Sequence, residues 1–493
     1  MQRILILAFL LATLSVAQEK HDHPAPEKLG TVSFPISCQP GVQQEFDRAV
    51  ALLHSFAYSA AEEAFQSVAV QDPHCAIAHW GVAMIHFHQL WEPPLPADGI
   101  SVAQNEIRQA EMLNAPTERE RGFIHALSLI FNDSAIPYSM RASNYEVAMH
   151  DLAAANSTDV EVQVFYALAL ISSASPTDKT HFRQKQAAAL LEPLYREFPN
   201  HAGIPHYLIH ACDSQELASR GLAAARAYSK IAPSAPHALH MPSHIFTRLG
   251  MWDDSIASNL AARAAAHQLG DTGEELHAMD YLVYAYLQSG RDREAVQVID
   301  ELSTLENPDM SDFKSGYAAT VMPIRYIVER HQWSDAEKVS LPSPSALPQV
   351  LATAVWARRL GFARKGNPKE ARKQAEALRL IEDRLRASGN AYWATQVNIM
   401  TREVLAWSAQ AEGRSDEATS ALSSAADDED GIEKLPATPG PIIPAREQLG
   451  ELLLEYGNFS SASRAFETAL VNAPGRRGAL QGAARAADAT QQK

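Results

Sequence analysis

A pair of histidines recurs after 34 residues in this chain, and that spacing constrains the fold more than any other pattern. His206 and His210 lie four residues apart, and His240 and His244 repeat the same spacing 34 residues later. A period of about 34 residues is typical of a helical hairpin that is repeated along a chain. One hairpin cannot bury its apolar face alone, so the sequence predicts several hairpins stacked into a solenoid.

A second pattern marks further hairpins. After a turn, a small residue is followed four positions later by an aromatic residue and eight positions after that by proline. Two copies are Ala61, Phe65 and Pro73, and Ala462, Phe466 and Pro474. We expect the small residue to let two helices approach, the ring to fill the gap between them, and the proline to end the helix.

Together these patterns resemble the tetratricopeptide-repeat (TPR) family over most of residues 40–490. The resemblance implies an all-α fold, a right-handed superhelical solenoid of stacked helical hairpins whose first helices line a concave groove. We therefore expect one continuous TPR-like α-solenoid over residues 41–490, with an irregular segment at about 100–160 and a loop at 427–440. The family indicates architecture and a binding role, but it does not identify a reaction.

Charge limits the kinds of partner. The formal net charge of −16 over 493 residues argues against nucleic acid as a partner, because phosphate binding requires clustered Lys and Arg. An acidic surface of this kind mainly favours solubility. A peptide or a partner protein in the concave groove remains a possible ligand.

The N-terminus has the pattern of a secretory signal peptide. Arg3 is followed by an apolar run from Ile4 to Leu14 and by small residues up to Ala17. We expect residues 1–17 to be removed, residues 18–40 to form a flexible mature N-terminus, and the protein to be exported (periplasmic or secreted), as a bacterial-type member of the family. An uncleaved anchor is the alternative. Other apolar runs are too short for a membrane span in the mature chain.

The chain contains three cysteines. An oxidising compartment would permit a bridge between Cys38 and Cys75, although their geometry cannot be tested from the sequence. Cys212 lies on the apolar side of its predicted helix and is interpreted as a small core residue.

The repeat register predicts that the histidines face one patch of the groove. In proteins that the chain resembles, the second, fifth and ninth positions of each first helix face the groove. Aligning Gly290 with Gly250 extends this register to a third hairpin. The predicted patch then consists of His206, His210, His237, His240, His244, His277, Asp280 and Tyr284, with Asp213 at its border.

The clustering of imidazoles favours a transition-metal site for Zn, Cu, Ni or Fe. Residues four apart on one helix can bind one ion, and a neighbouring helix about 8–10 Å away can contribute its own pair. His206, His210, His240 and His244 are the predicted ligands. Asp280 is a candidate fifth ligand, and His277 is a candidate partner that orients an imidazole.

Two alternatives remain open from the sequence. A histidine beside Asp280 or Asp213 could transfer protons in metal-free acid–base chemistry, although no nucleophile motif accompanies it. The cluster could instead brace the superhelix or belong to a metal-free scaffold that binds a peptide or a partner protein. Pro242 between His240 and His244 could bend the helix at the site, or could mark a helix that begins after His240.

Overall fold

A computed structural model describes residues 27–491, except 89, 91–94, 96, 306–308, 344–345 and 374. The predicted signal peptide, residues 1–17, lies outside the described residues. No described helix is both long enough and apolar enough to cross a membrane.

The described residues fold into α-helices joined by short turns, and their one isolated β-bridge joins Thr31 to His201. The α-helices are α1 Gln43–His54, α2 Tyr58–Gln71, α3 Ala76–Ile85, α4 Ala97–Leu113, α5 Glu118–Phe131, α6 Tyr138–Ala155, α7 Val160–Ser172, α8 Phe182–Glu197, α9 Gly203–Ala211, α10 Ala218–Ile231, α11 Pro236–His240, α12 Pro242–Arg248, α13 Trp252–Leu269, α14 Thr272–Gln288, α15 Asp292–Asp300, α16 Phe313–Glu329, α17 Trp333–Ala336, α18 Pro348–Arg364, α19 Pro368–Lys373, α20 Ala375–Ala387, α21 Ala391–Ala411, α22 Ser415–Asp430, α23 Ala445–Glu455, α24 Phe459–Asn472 and α25 Arg477–Gln491.

Consecutive helices pack against each other along the chain, which confirms the predicted all-α solenoid. The aromatic residue of the repeat motif fills a gap that a glycine leaves open. Phe65 is fully buried, and a Cβ atom added to Gly81 would lie 2.3 Å from its ring. Phe466 packs in the same way, because a Cβ atom at Gly482 would also lie 2.3 Å from its ring. The helices are therefore as close as these glycines permit.

The segment at about 100–160, whose fit to the repeat we expected to be irregular, contains the helices α4, α5 and α6. Thr117 caps α5, since its side chain accepts a hydrogen bond from the Glu120 backbone N–H. The repeat motif is weak in this segment, but the helices are formed and packed.

The described part of the segment that we expected to be flexible, residues 27–40, is anchored to the helices. The Thr31 N–H donates to the Asn200 carbonyl at 2.8 Å, and Cys38 forms a disulfide with Cys75. Phe34 is fully buried. Its ring contacts the aromatic side chains of Phe46, Trp80, Phe123 and Phe165. Burial of this ring stabilises the packing of residues 27–40 against the helices.

The predicted loop at 427–440 begins later than expected, because α22 continues to Asp430. The connection from residue 431 to residue 444, which we call the strap, crosses to distant helices. The Glu433 N–H donates to the Pro176 carbonyl at 2.8 Å, and the Tyr281 hydroxyl of α14 donates to the Pro436 carbonyl at 3.1 Å. The strap thus covers the part of the solenoid that carries the histidine cluster.

Candidate metal centre

Six histidines from α9, α11, α12 and α14 gather in two adjacent groups. In each group, one nitrogen from every ring lies within 4.8 Å of the others. The first triad is His206, His210 and His237, and the second triad is His240, His244 and His277. All six side chains are at most 6% exposed. The sequence predicted one set built from both pairs, whereas the structure assigns each pair to its own triad.

Helical spacing brings the two nitrogens of each pair together. The Nε2 atoms of His206 and His210 are 3.1 Å apart, and those of His240 and His244 are 3.0 Å apart. Met241 keeps helical backbone angles (φ −52°, ψ −36°), so the break at Pro242 does not move His240 onto a loop. In a tetrahedral Zn site with Zn–N bonds of about 2.0–2.1 Å, neighbouring nitrogens are about 3.4 Å apart. Both pairs are close to that spacing.

Hydrogen bonds fix the ring nitrogens of the second triad. The Asn259 side-chain N–H donates to the Ser255 carbonyl at 2.8 Å, which turns the Asn259 oxygen toward His240 Nδ1 at 2.6 Å. His240 therefore donates from Nδ1. His244 also donates from Nδ1, to an Asp213 carboxylate oxygen at 2.9 Å. Both neutral rings consequently direct an Nε2 lone pair into the 3.0 Å gap between them.

Asp213, which we expected at the border of the patch, is the residue that orients His244. The same carboxylate accepts from Arg248 at 2.9 Å and from Lys434 of the strap at 3.0 Å. Burial would raise the pKa of Asp213, but Lys434 and Arg248 outweigh it and hold that pKa well below its ordinary value. Asp213 is therefore a fixed anion, as in the carboxylate–histidine–metal arrangements of metalloproteins.

The first triad is oriented through a buried network around His54. His206 Nδ1 donates to the His54 carbonyl, which leaves the His206 Nε2 lone pair directed toward His210. The His54 ring is held by Glu161 at 2.9 Å and by the Tyr207 hydroxyl at 2.9 Å. His201 binds the second Glu161 oxygen at 2.9 Å. Sequence reasoning missed this network, because His54 and Glu161 share no repeat spacing with the two histidine pairs.

His237, which we expected beside the site, belongs to the first triad. Its Nδ1 lies 3.4 Å from a Glu274 oxygen, and Glu274 is paired with Lys314 at 2.6 Å. His210 differs from the other rings, since its Nδ1 has no hydrogen-bond partner among the described residues. The first triad is thus fixed at His206 and less constrained at His210.

The α14 helix presents His277 and Tyr281 to the second triad. The His277 ring centroid lies 4.3 Å from that of His240, and the Tyr281 ring lies 4.7 Å from His240 and 5.2 Å from His244. Sequence reasoning missed Tyr281. One helical turn separates it from His277, so the two side chains share a face.

Asp280 and Tyr284 point to a neighbouring region instead. One Asp280 oxygen accepts from Arg325 at 3.3 Å, and the Tyr284 ring lies 5.1 Å from the same guanidinium. Asp280 is in neither triad. Burial raises the pKa of Asp280 despite the nearby Arg325. The alignment through Gly290 predicted that both His277 and Asp280 face the cluster. In the structure His277 lies in the cluster, but its neighbour on that face of α14 is Tyr281 and not Asp280.

Burial favours the neutral form of five imidazoles in the cluster. It lowers the pKa of His206, His210, His240 and His277 well below the ordinary value, and it lowers the pKa of His244 to about 4. Neutral imidazoles are the form that binds metal ions, and no proton has to leave before an ion binds.

A cavity of about 170 Å³ lies beside the second triad, between the strap and the C-terminal helices. Its lining combines aromatic, charged and aliphatic side chains. Among them are Thr247, Arg248, Tyr284, Tyr317, Trp356, Trp393 and Glu403. The Trp356 indole N–H donates to Glu403 at 2.6 Å, and the Gln448 amide donates to it at 2.7 Å. The cavity therefore combines stacking surfaces with fixed polar groups, as ligand pockets do.

No protein family and no curated protein matches the chain in sequence. Solved structures match at low sequence identity and low TM-score. The TPR domain of P58(IPK) is 12% identical, with 92% of this chain and 99% of that chain covered and a TM-score of 0.22. The human IFIT1 dimer with m7Gppp-AAAA is 10% identical, with 85% and 89% covered and a TM-score of 0.37. Naa15/Naa10 bound to HypK-THB is 11% identical, with 91% and 67% covered and a TM-score of 0.25.

These identities and scores are too low to transfer a ligand or a partner to this chain. The architecture rests on the chain's own helices, their consecutive packing and the glycine–aromatic contacts between them. On that basis the chain is an all-α solenoid of TPR-like helical hairpins.

Proposed function

We propose that the protein binds transition-metal ions on its two buried histidine triads. The observation that carries this proposal is the 3.0 Å separation of His240 Nε2 and His244 Nε2, two lone pairs whose rings already donate from Nδ1. Two lone pairs at this distance repel each other unless a cation lies between or beside them. A metal ion about 2 Å from each nitrogen removes the repulsion and forms two coordinate bonds.

The other possible occupants fit less well. A water molecule cannot enter a gap of 3.0 Å between two nitrogens, because hydrogen-bonded heavy atoms are themselves about 2.7–3.2 Å apart. A shared proton would place a positive charge on an imidazole with about 1% of its surface exposed. Asp213, which contacts His244, is already paired with Arg248 and Lys434, so burying this additional charge costs far more than burying a neutral ring.

The residues present suit Zn, Cu, Ni or Fe, all of which bind imidazole. We assign His206, His210 and His237 to one ion, and His240, His244 and His277 to the other. Asp213 acts as the partner that orients His244. Asp280 is not assigned as a ligand, because its charge is directed at Arg325. Three protein ligands per ion leave one coordination position for an external ligand, as in catalytic zinc sites rather than closed structural ones.

A second candidate function is a metal-free scaffold that binds a peptide or a partner protein. The cavity beside the strap favours it, since Trp356 and Trp393 in its lining provide large rigid contact surfaces. Under this alternative the histidines only brace the solenoid.

Metal analysis of the purified protein separates the two candidates. We expect stoichiometric metal in the wild-type protein and a loss of metal in His240→Gln and His206→Gln. His150→Gln is the matched control, because His150 pairs with Asp151 through Nδ1 but has a side chain that is 58% exposed. If wild-type protein reconstituted with Zn, Cu, Ni and Fe retains no metal, the scaffold function replaces the metal site.

Export also belongs to this proposal. The Cys38–Cys75 disulfide supports it, because disulfides persist mainly in oxidising compartments. N-terminal sequencing of the protein from its host is the test. A mature chain that begins at Gln18 agrees with export through a cleaved signal peptide, and an intact Met1 together with a cytoplasmic location contradicts it.

A further inference from the structure

The two triads adjoin closely enough to act together. We propose that they form one dinuclear centre, which takes a pair of copper(I) ions and holds an external ligand between them. This inference rests on the proposed function, since it requires that both triads bind metal.

The short helix α11 joins the triads, because it supplies His237 to the first and His240 to the second. Across the boundary, the ring centroids of His237 and His240 are 6.0 Å apart, and those of His210 and His244 are 5.8 Å apart. Each ion lies about 2 Å from its nitrogens, and the metals of two-metal sites are about 3.5–4 Å apart. These separations between ring centroids of the two triads therefore fit two neighbouring ions.

Both triads are built in the same way, one repeat apart. Each consists of a pair of histidines four residues apart and a third histidine from the first helix of the following hairpin. His237 completes the pair on α9, and His277 of α14 completes the pair on α11 and α12. Each triad therefore leaves its ion an open position. Two such positions on adjacent ions can be filled by one bridging ligand.

The charges around the triads favour a monovalent ion. The six ligands are imidazoles, which carry no charge of their own when they bind a metal ion, and the carboxylates that contact His244 and His237 are already paired with basic residues. Asp213 is paired with Arg248 and Lys434, and Glu274 is paired with Lys314. Two divalent ions would place four positive charges in a buried site beside carboxylates that are already paired, whereas two copper(I) ions place half that charge there. Copper is among the metals that bind imidazole well.

Anaerobic titration of the metal-free protein with copper(I), in competition with a copper(I) chelator, is the first test. We expect two copper ions per chain. Because the ions share one centre, His206→Gln and His240→Gln should each weaken the binding of both ions, by at least about tenfold. If His206→Gln does not fold, as judged by circular dichroism, His210→Gln takes its place, because the His210 side chain is the most exposed of the six at 6%.

Electron paramagnetic resonance (EPR) of the oxidised protein is the second test. Two ferricyanide ions accept one electron each from two copper(I) ions, which gives two copper(II) ions and two ferrocyanide ions. Adjacent copper(II) ions broaden or cancel each other's signal, so we expect clearly less than the signal of two isolated copper(II) ions. His150→Gln should behave like the wild-type protein in both tests.

The outcomes separate this inference from the proposed function. Loss of one copper ion in each variant, with the other bound at wild-type affinity and giving a full signal, overturns the dinuclear centre and leaves two independent metal sites. Zinc(II) that binds as tightly as copper(I) overturns the choice of ion. If neither copper(I), zinc(II), nickel(II) nor iron(II) binds, the proposed function itself fails.

Discussion

His244 donates from Nδ1 to an Asp213 oxygen 2.9 Å away, and this contact directs its other nitrogen at His240. Asp213 lies just beyond α9, while His244 lies on α12 in the next repeat. The stacking of two hairpins therefore sets the tautomer of a proposed ligand.

Replacing Asp213 with Asn should weaken metal binding by about 10–100-fold, the usual cost of losing a carboxylate that orients a histidine ligand. The amide has no charge and offers His244 only one acceptor oxygen. A competition titration of the purified variant with a metal chelator measures the effect. Asp151→Asn is the control, since Asp151 contacts the exposed His150 at 3.1 Å. An unchanged metal affinity in Asp213→Asn would refute the assigned role of Asp213.

Glu429 should make the protein less stable as the pH rises. Burial raises its pKa from 4.5 to about 8, so the folded chain holds a proton that the unfolded chain has already lost. The free energy of unfolding is therefore expected to fall by up to a few kcal/mol between about pH 4.5 and pH 8. Denaturant unfolding across this range should show a smaller decrease in Glu429→Gln than in the wild-type protein.

Glu63→Gln, at an exposed position of α2, is the control for Glu429→Gln and should keep the wild-type pH dependence. Parallel curves for Glu429→Gln and the wild-type protein would mean that Glu429 ionises normally in the folded chain.

Loss of the disulfide should destabilise the N-terminal part of the solenoid. The bond joins residues 37 apart and attaches the anchored segment before α1 to the start of α3. Removal of a native disulfide typically costs about 2–5 kcal/mol. We expect Cys38→Ser with Cys75→Ser to lower the free energy of unfolding by an amount in that range. A reductant should destabilise the wild-type protein but have no further effect on the double variant, and equal effects on both would contradict this account.

Gly81→Ala tests the close approach of helices at the repeat motif. Its Cβ atom would lie 2.3 Å from the fully buried Phe65 ring, so either the ring or the helix must move. Overpacking of this kind typically costs about 1–3 kcal/mol. Gly41→Ala is the control, because no atom lies within 4 Å of its added Cβ atom. Thermal unfolding should show a clear loss for Gly81→Ala only, and equal stability of the two variants would exclude the proposed packing.

The repeat spacing predicted the two histidine pairs of the candidate site, but it did not predict how the rings are grouped. Spacings of 34 and of four residues identify His206, His210, His240 and His244, because helical geometry repeats with the sequence. Membership of the two triads could not be predicted in this way. It depends on how far each ring reaches across to the next helix, so His237 and His277 became members of different triads.

Partners from distant segments were beyond sequence reasoning for a different reason. Asn259, which contacts His240, lies on the second helix of its hairpin. The His54 carbonyl contacts His206, which lies 152 residues later in the chain. Tertiary packing brings these residues to the site, and no local spacing marks them. The sequence of the strap likewise predicts only a polar loop, whereas in the structure Lys434 of the strap pairs with Asp213.

X-ray absorption spectroscopy of the metal-reconstituted wild-type protein tests the central claim most directly, because it reports the atoms bound to the metal. We predict a first shell dominated by imidazole nitrogens at about 2 Å, with about three per ion. His240→Gln should lose part of that shell, and His150→Gln should leave it unchanged. A shell of oxygen atoms from water, or a protein that retains no metal after reconstitution, would contradict the account.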